Sequence, residues 1–234
     1  MVDFMLTATF DPSLIEPQQI RLLSRREYDR LVELDWFVDE PIELLRGVLV
    51  TMSPQKWPHA AAVEFFNEQL VLQLAGHYAV RPQLPFAADD WSEPEPDLAV
   101  ARKDPALREH PSELLLLVEV AHTSLRIDRG LKRMIYAEAG VPEYWIVDVN
   151  TLTVEVHTLS RDGSYTCVQT LRDGEVLRPT LLPEVTICVA DIPRRRCREF
   201  IRAPPVNSCL LPWPLTGPRP AGYSSASLSL ELIR

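Results

Sequence analysis

The run Leu114–Ser124, LLLLVEVAHTS, decides the fold. Leu114 to Val118 are uninterrupted apolar residues, the pattern of a strand buried on both faces of a sheet. Glu119 then breaks the run before Val120 and Ala121 resume it, and period-two alternation places Glu119 on the strand face shared by Leu117 and Ala121. An unpaired carboxylate in that position costs several kcal/mol or is forced to protonate. Glu119 therefore needs a partner, and the surrounding chain must supply it.

Immediately downstream, RIDRGLKRMIYAEAG reads as a helix with Leu131, Met134, Ile135 and Ala139 on its apolar face, stopped by Gly140 and Pro142. The segments EYWIVDV, TVEVHTL, SYTCVQTL and EVTICV follow as strands, with turns at Arg161-Asp162-Gly163 and Arg172-Asp173-Gly174. Upstream, HYAVRPQL and DLAVAR read as strands on either side of the proline-rich, acidic segment FAADDWSEPEP. Before these, HAAAVEFFNEQLVLQLAG carries Val63, Phe66, Leu70 and Leu74 at helical spacing behind Pro58 and ends at Gly76. IELLRGVLVTM reads as a hairpin around Arg46-Gly47. SRREYDRLVEL begins with Ser24 and Glu27 in capping-box spacing and places Leu31 and Leu34 on one side of a helix. This order predicts an α/β domain, a mixed sheet flanked by helices, with an N-terminal helix and hairpin and antiparallel strands toward the C-terminus.

Composition narrows the function. A chain of 234 residues suffices for one sizeable domain. We divide it into an arm (1–21), a domain (22–202) and a tail (203–234) dense in proline and serine and without periodicity, read as disordered. A formal net charge of −9 argues against coating nucleic acid through overall charge, so any polyanion would need a local basic patch. RRRCR, Arg194–Arg198, is ordinarily a solvated surface, though it could contact phosphate. The four cysteines, Cys167, Cys188, Cys197 and Cys209, form no CxxC pair, which fits a reduced, cytoplasmic protein. The N-terminus lacks the basic region of a secretory signal, and no apolar run reaches the ~18 residues of a membrane span.

Three features converge on chemistry. Asp97 follows Pro96 and opens the strand DLAVAR; Glu119 stands near the end of its own strand; Asp128 and Lys132 lie four apart on one face of the next helix, with Tyr136 a turn further. Of 24 basic side chains only Lys56, Lys103 and Lys132 are lysines, so a lysine here is informative. Carboxylates on neighbouring strands with a nearby lysine suit Mg²⁺ or Mn²⁺, which take protein carboxylates, waters and phosphate oxygens. The bland alternatives are a turn aspartate at 97, a helix-dipole charge at 128 and a buried arginine against Glu119. By spacing alone, a structural ion pair and a metal site stand about even.

The pattern PDLAVA…LLLLVEVAHTSLRIDRGLKRMIYAEAGVPEYWIVDV resembles the signature of the Uma2 family, restriction-endonuclease-like proteins of the PD-(D/E)XK nuclease superfamily. IELLRGVLVTMSP and His59 resemble that family's N-terminal half, and the similarity runs from Leu22 to Ile192. The resemblance implies that Pro96-Asp97 is the PD element, that Glu119 is the (D/E) element and that Glu43 is the acidic residue of the first hairpin. These three would hold Mg²⁺ or Mn²⁺. The superfamily's simple pattern places a lysine two residues after the glutamate, where this chain has Ala121; Lys132 on the following helix is the matching residue, with Asp128 holding it or contacting metal-bound water. His122 departs from the small or acidic residue expected there, and the tail has no counterpart. The implied activity is metal-dependent endonucleolytic hydrolysis of DNA. The alternative is a catalytically inactive nucleic-acid or protein binding module on the same fold, and a third reading is a hydrolase of another phosphoester. No GxSxG motif or clustered cysteine offers a covalent nucleophile. A homodimer is expected only by analogy with double-strand cutters.

Overall fold

The computed structural model describes residues 15–106 and 108–194. The first 14 residues of the arm, most of the RRRCR run and the whole tail lie outside the described residues, as do Cys197 and Cys209.

Helix α1 (Arg25–Glu33) begins in the expected capping box: the Glu27 N–H donates to the Ser24 hydroxyl, and Glu27 Oε2 accepts the Ser24 N–H at 3.0 Å. Its buried residue is Tyr28; Leu34 forms the C-cap and is exposed, so the helix meets the domain one turn earlier than the leucine spacing suggests. The hairpin pairs β1 (Ile42–Leu45) with β2 (Val48–Thr51). Its two turn residues, Arg46 and Gly47, have φ of 52° and 79°, the left-handed pair that a two-residue hairpin turn requires. A Cβ on Gly47 would also stand 2.5 Å from Leu22 Cβ, so the site needs glycine for space as well as conformation.

Helix α2 (Trp57–Leu74) carries Pro58 in its first turn and buries Ala62, Val63, Phe66, Leu70 and Leu74. The main sheet has the order β3 (Tyr78–Pro82), β4 (Leu98–Arg102), β5 (Leu116–Ala121), β6 (Glu143–Asp148), β7 (Thr153–Leu159), β8 (Tyr165–Leu171). All neighbours are antiparallel except β5 and β6, whose parallel pairing requires the crossover helix read from the sequence. The segment EVTICV does not join this sheet: only Ile187–Cys188 (β10) is strand, and it pairs with Val176–Leu177 (β9) in a separate two-stranded unit.

The sheet separates two cores. On one face α2 packs on Leu98, Val100, Val118, Val120, Trp145 and Val147, closed off by Leu182, Val185 and Ile187. Each fully buried side chain of this size contributes about 1.5–3 kcal/mol. The other face holds Leu45, Ala99, Leu117, Ala121, Ile135, Tyr136 and Tyr144. By alternation Asp97 and Glu119 project from this second face, under the hairpin and the crossover helix.

That crossover is irregular. It consists of a short turn α3 (Leu125–Ile127), a π-helical turn Asp128–Lys132 and α4 (Arg133–Glu138). The wider turn shifts the helical phase, so the buried residues are Asp128, Lys132, Ile135, Tyr136 and Ala137, while Met134 is 51% exposed and Leu131 only half-buried. The apolar face expected from simple 3.6-residue spacing is therefore wrong at Met134. The extra residue turns Lys132 and Tyr136 inward in its place.

Candidate active site

Antiparallel register sets the first two members side by side. Leu98 pairs with Val118, so Asp97 stands opposite Glu119 at the point where β4 begins and β5 ends. Their backbones and side chains interlock: the Val120 N–H donates to Asp97 Oδ2 at 2.8 Å, and the Asp97 N–H donates to Glu119 Oε2 at 3.4 Å. Glu43 arrives from the hairpin, which is tied to the segment preceding β4 by reciprocal Leu44–Glu93 backbone bonds of 3.3 and 2.8 Å. The Glu95 N–H donates to Glu43 Oε2 at 3.2 Å.

Lys132 answers the question raised by Glu119. Its Nζ lies 3.0 Å from Glu119 Oε1 and 3.1 Å from Glu43 Oε2, and all three residues are at least nine-tenths buried. The compensating cation is thus the lysine of the crossover, and no arginine is needed. Tyr136, one turn on, donates its hydroxyl to Glu119 Oε1 at 2.7 Å. Asp128 is also buried; its Oδ2 has no hydrogen-bond partner.

The electrostatics follow from four carboxylates crowded around one ammonium. Burial pushes Glu119 up to about 8; Lys132 opposes this, and Asp97, Asp128 and Glu43 add to it. Burial likewise raises Asp128 to about 6, against a Ser124 hydrogen bond and Lys132. For Lys132 burial alone would lower the pKa, but Glu119, Glu43 and Asp128 outweigh it and raise it, so the ammonium keeps its proton. Burial and Glu119 raise Tyr136 well above its usual range, which fixes it as a donor.

All five residues expected from the sequence, Glu43, Asp97, Glu119, Asp128 and Lys132, therefore come together. Two further members were not assigned a role from the sequence. His59, at the start of α2, places Nε2 3.1 Å from Asp97 Oδ2, and its Nδ1 is buried without a partner. Tyr136 was visible only as the next residue at four-residue spacing. Glu95 could have been found from EPEPD, in which Glu93, Glu95 and Asp97 alternate along an extended segment. Burial and Glu43 raise its pKa while Lys132 lowers it. Glu95 also lines a cleft of about 1400 Å³ that carries four arginines, Arg25, Arg26, Arg81 and Arg108, against eight carboxylates, Asp29 and Glu93 among them. His122 lies outside the cluster and contributes its backbone carbonyl to Asn150.

The donor set fits a hard divalent cation in its chemistry: oxygen ligands, an excess of carboxylate over ammonium, and the orphaned Asp128 oxygen. Its present spacing is not that of a metal site: among the described residues no group of three or more His, Cys, Asp or Glu stands at metal-binding separation.

A family model described as "Putative restriction endonuclease", Uma2, matches residues 27–190. The chain belongs to the Uma2 family. No curated protein matches it. Four chains of solved structures match, among them "a putative nuclease belonging to DUF820" from Anabaena variabilis, with a TM-score of 0.53 at 14% identity over 68% of this chain and 96% of that one. At that identity the likeness is one of fold. The Uma2 family and the fold are together nuclease-like, and among the described residues no helix is long and apolar enough to cross a membrane.

Proposed function

We propose that this Uma2 protein is a divalent-metal-dependent endonuclease that hydrolyses phosphodiester bonds, with DNA as substrate. The observation that carries the reading is the chain of contacts that joins Asp97, Glu119, Lys132 and Glu43, from two strands, the crossover helix and a hairpin: the Asp97 N–H donates to Glu119, and Lys132 Nζ bridges Glu119 and Glu43. Glu43, Asp97 and Glu119 would hold Mg²⁺ or Mn²⁺, which when bound supplies Lewis-acid stabilisation of phosphate charge and acidifies water.

The chain's own groups do the positioning. His59 Nε2 and the Val120 N–H fix Asp97 Oδ2, and the Tyr136 hydroxyl fixes Glu119 Oε1. Lys132, held protonated, acts as a hydrogen-bond donor to the attacking water and the scissile phosphate rather than as a base. The adjoining cleft sets four arginines, Arg25, Arg26, Arg81 and Arg108, among twice as many carboxylates, so it offers local guanidinium donors to phosphate without a net-basic patch.

The test is incubation of purified protein with plasmid and single-stranded DNA in Mg²⁺ or Mn²⁺, beside Asp97→Ala, Glu119→Ala and Lys132→Ala. Cleavage by the wild type that each substitution abolishes supports the assignment; cleavage surviving all three removes it. A non-catalytic binding module is the second reading, favoured by the net charge of −9. Absence of both cleavage and Mn²⁺ binding in the wild type selects it.

A further inference from the structure

Lys132 Nζ bridges Glu43 and Glu119, two of the three carboxylates to which the proposed function gives the metal. A divalent ion drawn to the same two carboxylates competes with the ammonium for the same oxygens. We propose that Lys132 is a two-position latch: it bridges Glu43 and Glu119 before the ion arrives, and moves to Asp128 when the ion takes the glutamates. This inference rests on the metal-dependent reading.

Three observations carry it. First, Lys132 Nζ occupies the space between two of the carboxylates, and among the described residues no group of three or more His, Cys, Asp or Glu stands ready to hold a metal. Second, an acceptor for the displaced ammonium already exists. Asp128 lies four residues before Lys132 on the same π-helical turn, is 2% exposed, and has one oxygen with no hydrogen-bond partner. An orphaned buried carboxylate oxygen beside a lysine calls for an explanation, and a second seat for that lysine is one. Third, Asp128 and Lys132 are the two ends of one π-helical turn, which carries a residue more than an α-turn and is a recurrent feature of functional sites. The latch also explains how buried, crowded carboxylates are held together before any ion binds, since removing their only close ammonium would leave them uncompensated. It makes the site respond to divalent concentration, because the ion has to outcompete a tethered cation.

The full-length protein would be titrated with Mn²⁺ by calorimetry as wild type, Lys132→Met, Asp128→Asn and the double variant. Lys132→Met is expected to bind about 5- to 150-fold more tightly than wild type. Removing a nearby charge would itself tighten binding, so the cycle decides: Asp128→Asn weakens Mn²⁺ binding when Lys132 is present and much less when it is methionine. Equal effects in both backgrounds overturn the latch. Should Lys132→Met fail to fold, a crystal structure of the wild type with Mn²⁺ tests the same point: Nζ on Asp128 Oδ2 supports the latch, and Nζ still between Glu43 and Glu119 overturns it. No Mn²⁺ binding by the wild type or by a folded Lys132→Met overturns the metal-dependent reading and the latch with it. Tighter binding by Lys132→Met is required; equal or weaker binding by that variant overturns the latch alone.

Discussion

Glu119 and Glu143 are buried to the same degree, 4% and 2% exposed, on adjacent strands of one sheet, yet they are held in opposite ways. Glu143 at the start of β6 is satisfied by two fixed neutral donors: Trp145 Nε1–H at 2.6 Å and the Thr180 N–H at 2.8 Å. Glu119 at the end of β5 has one long backbone donor, the Asp97 N–H at 3.4 Å, but is otherwise satisfied by an ammonium and a phenol and shares its surroundings with three other carboxylates. A carboxylate that serves the fold is wired to groups that neither titrate nor move. On the proposed function, one that serves chemistry is crowded by other carboxylates and paired with a single mobile side chain.

The sharpest way to break this contrast is to remove the carboxylate at each position in turn. Glu119→Gln is expected to lower cleavage by about 100- to 1,000-fold while leaving the melting temperature near wild type. A cleavage rate within a few-fold of wild type would remove Glu119 from the chemistry. Glu143→Ala should do the reverse. It strands the Trp145 indole N–H in the core and takes the acceptor from the Thr180 N–H, and stability falls by about 2 kcal/mol in urea unfolding, with activity per folded molecule unchanged. Loss of activity without loss of stability there would erase the distinction.

Tyr136→Phe probes the same boundary with a smaller change. The ring keeps its place against Tyr144, at a centroid separation of 5.1 Å, and only the hydroxyl on Glu119 is lost. Loss of an orienting hydrogen bond of this kind is expected to lower turnover by about tenfold. The measurement is turnover at saturating Mg²⁺ with the melting temperature alongside. An effect on stability alone would make Tyr136 a packing residue.

How far the sequence revealed these two glutamates follows from where their partners lie. Glu119 was legible because a charge inside LLLLVEVA violates the local pattern, and Lys132 because it lies thirteen residues on, across one crossover helix. Asp97 followed from strand order, but Glu43 came only from family resemblance, because its approach depends on how the hairpin docks. Glu143 gave no signal: it opens a strand in an ordinary way, and one of its two donors is a backbone N–H thirty-seven residues later in a loop. The π-helical turn was equally hidden. It is a change of backbone hydrogen-bond register, which side-chain periodicity does not encode, and it turned Met134 outward and Tyr136 inward.

Glu93 tests whether the contrast is between two kinds of carboxylate or a gradient. It is 3% exposed and lines the cleft; Oε2 has Arg25 at 3.8 Å and no hydrogen-bond donor, and Oε1 has His110 at 3.9 Å. Burial, with Asp29 beside it, raises its pKa to about 7, while Arg25 pulls the other way. In the unfolded chain the same group titrates near 4.5. Between those values the folded protein holds a proton that the unfolded chain has released, so Glu93's contribution to stability is full below pH 4.5 and is lost as pH rises through 7. Arg25 and the solvent of the cleft screen the loss, which is expected to be about 1 kcal/mol between pH 5 and 8. Unfolding free energies of wild type and Glu93→Gln across that range should therefore converge on a flatter profile for the variant. If the variant keeps the wild-type slope, Glu93 belongs with Glu143 among groups whose burial is matched by fixed partners. A flattened slope with cleavage retained places it between the two, a carboxylate left titratable by the fold without being needed for the reaction.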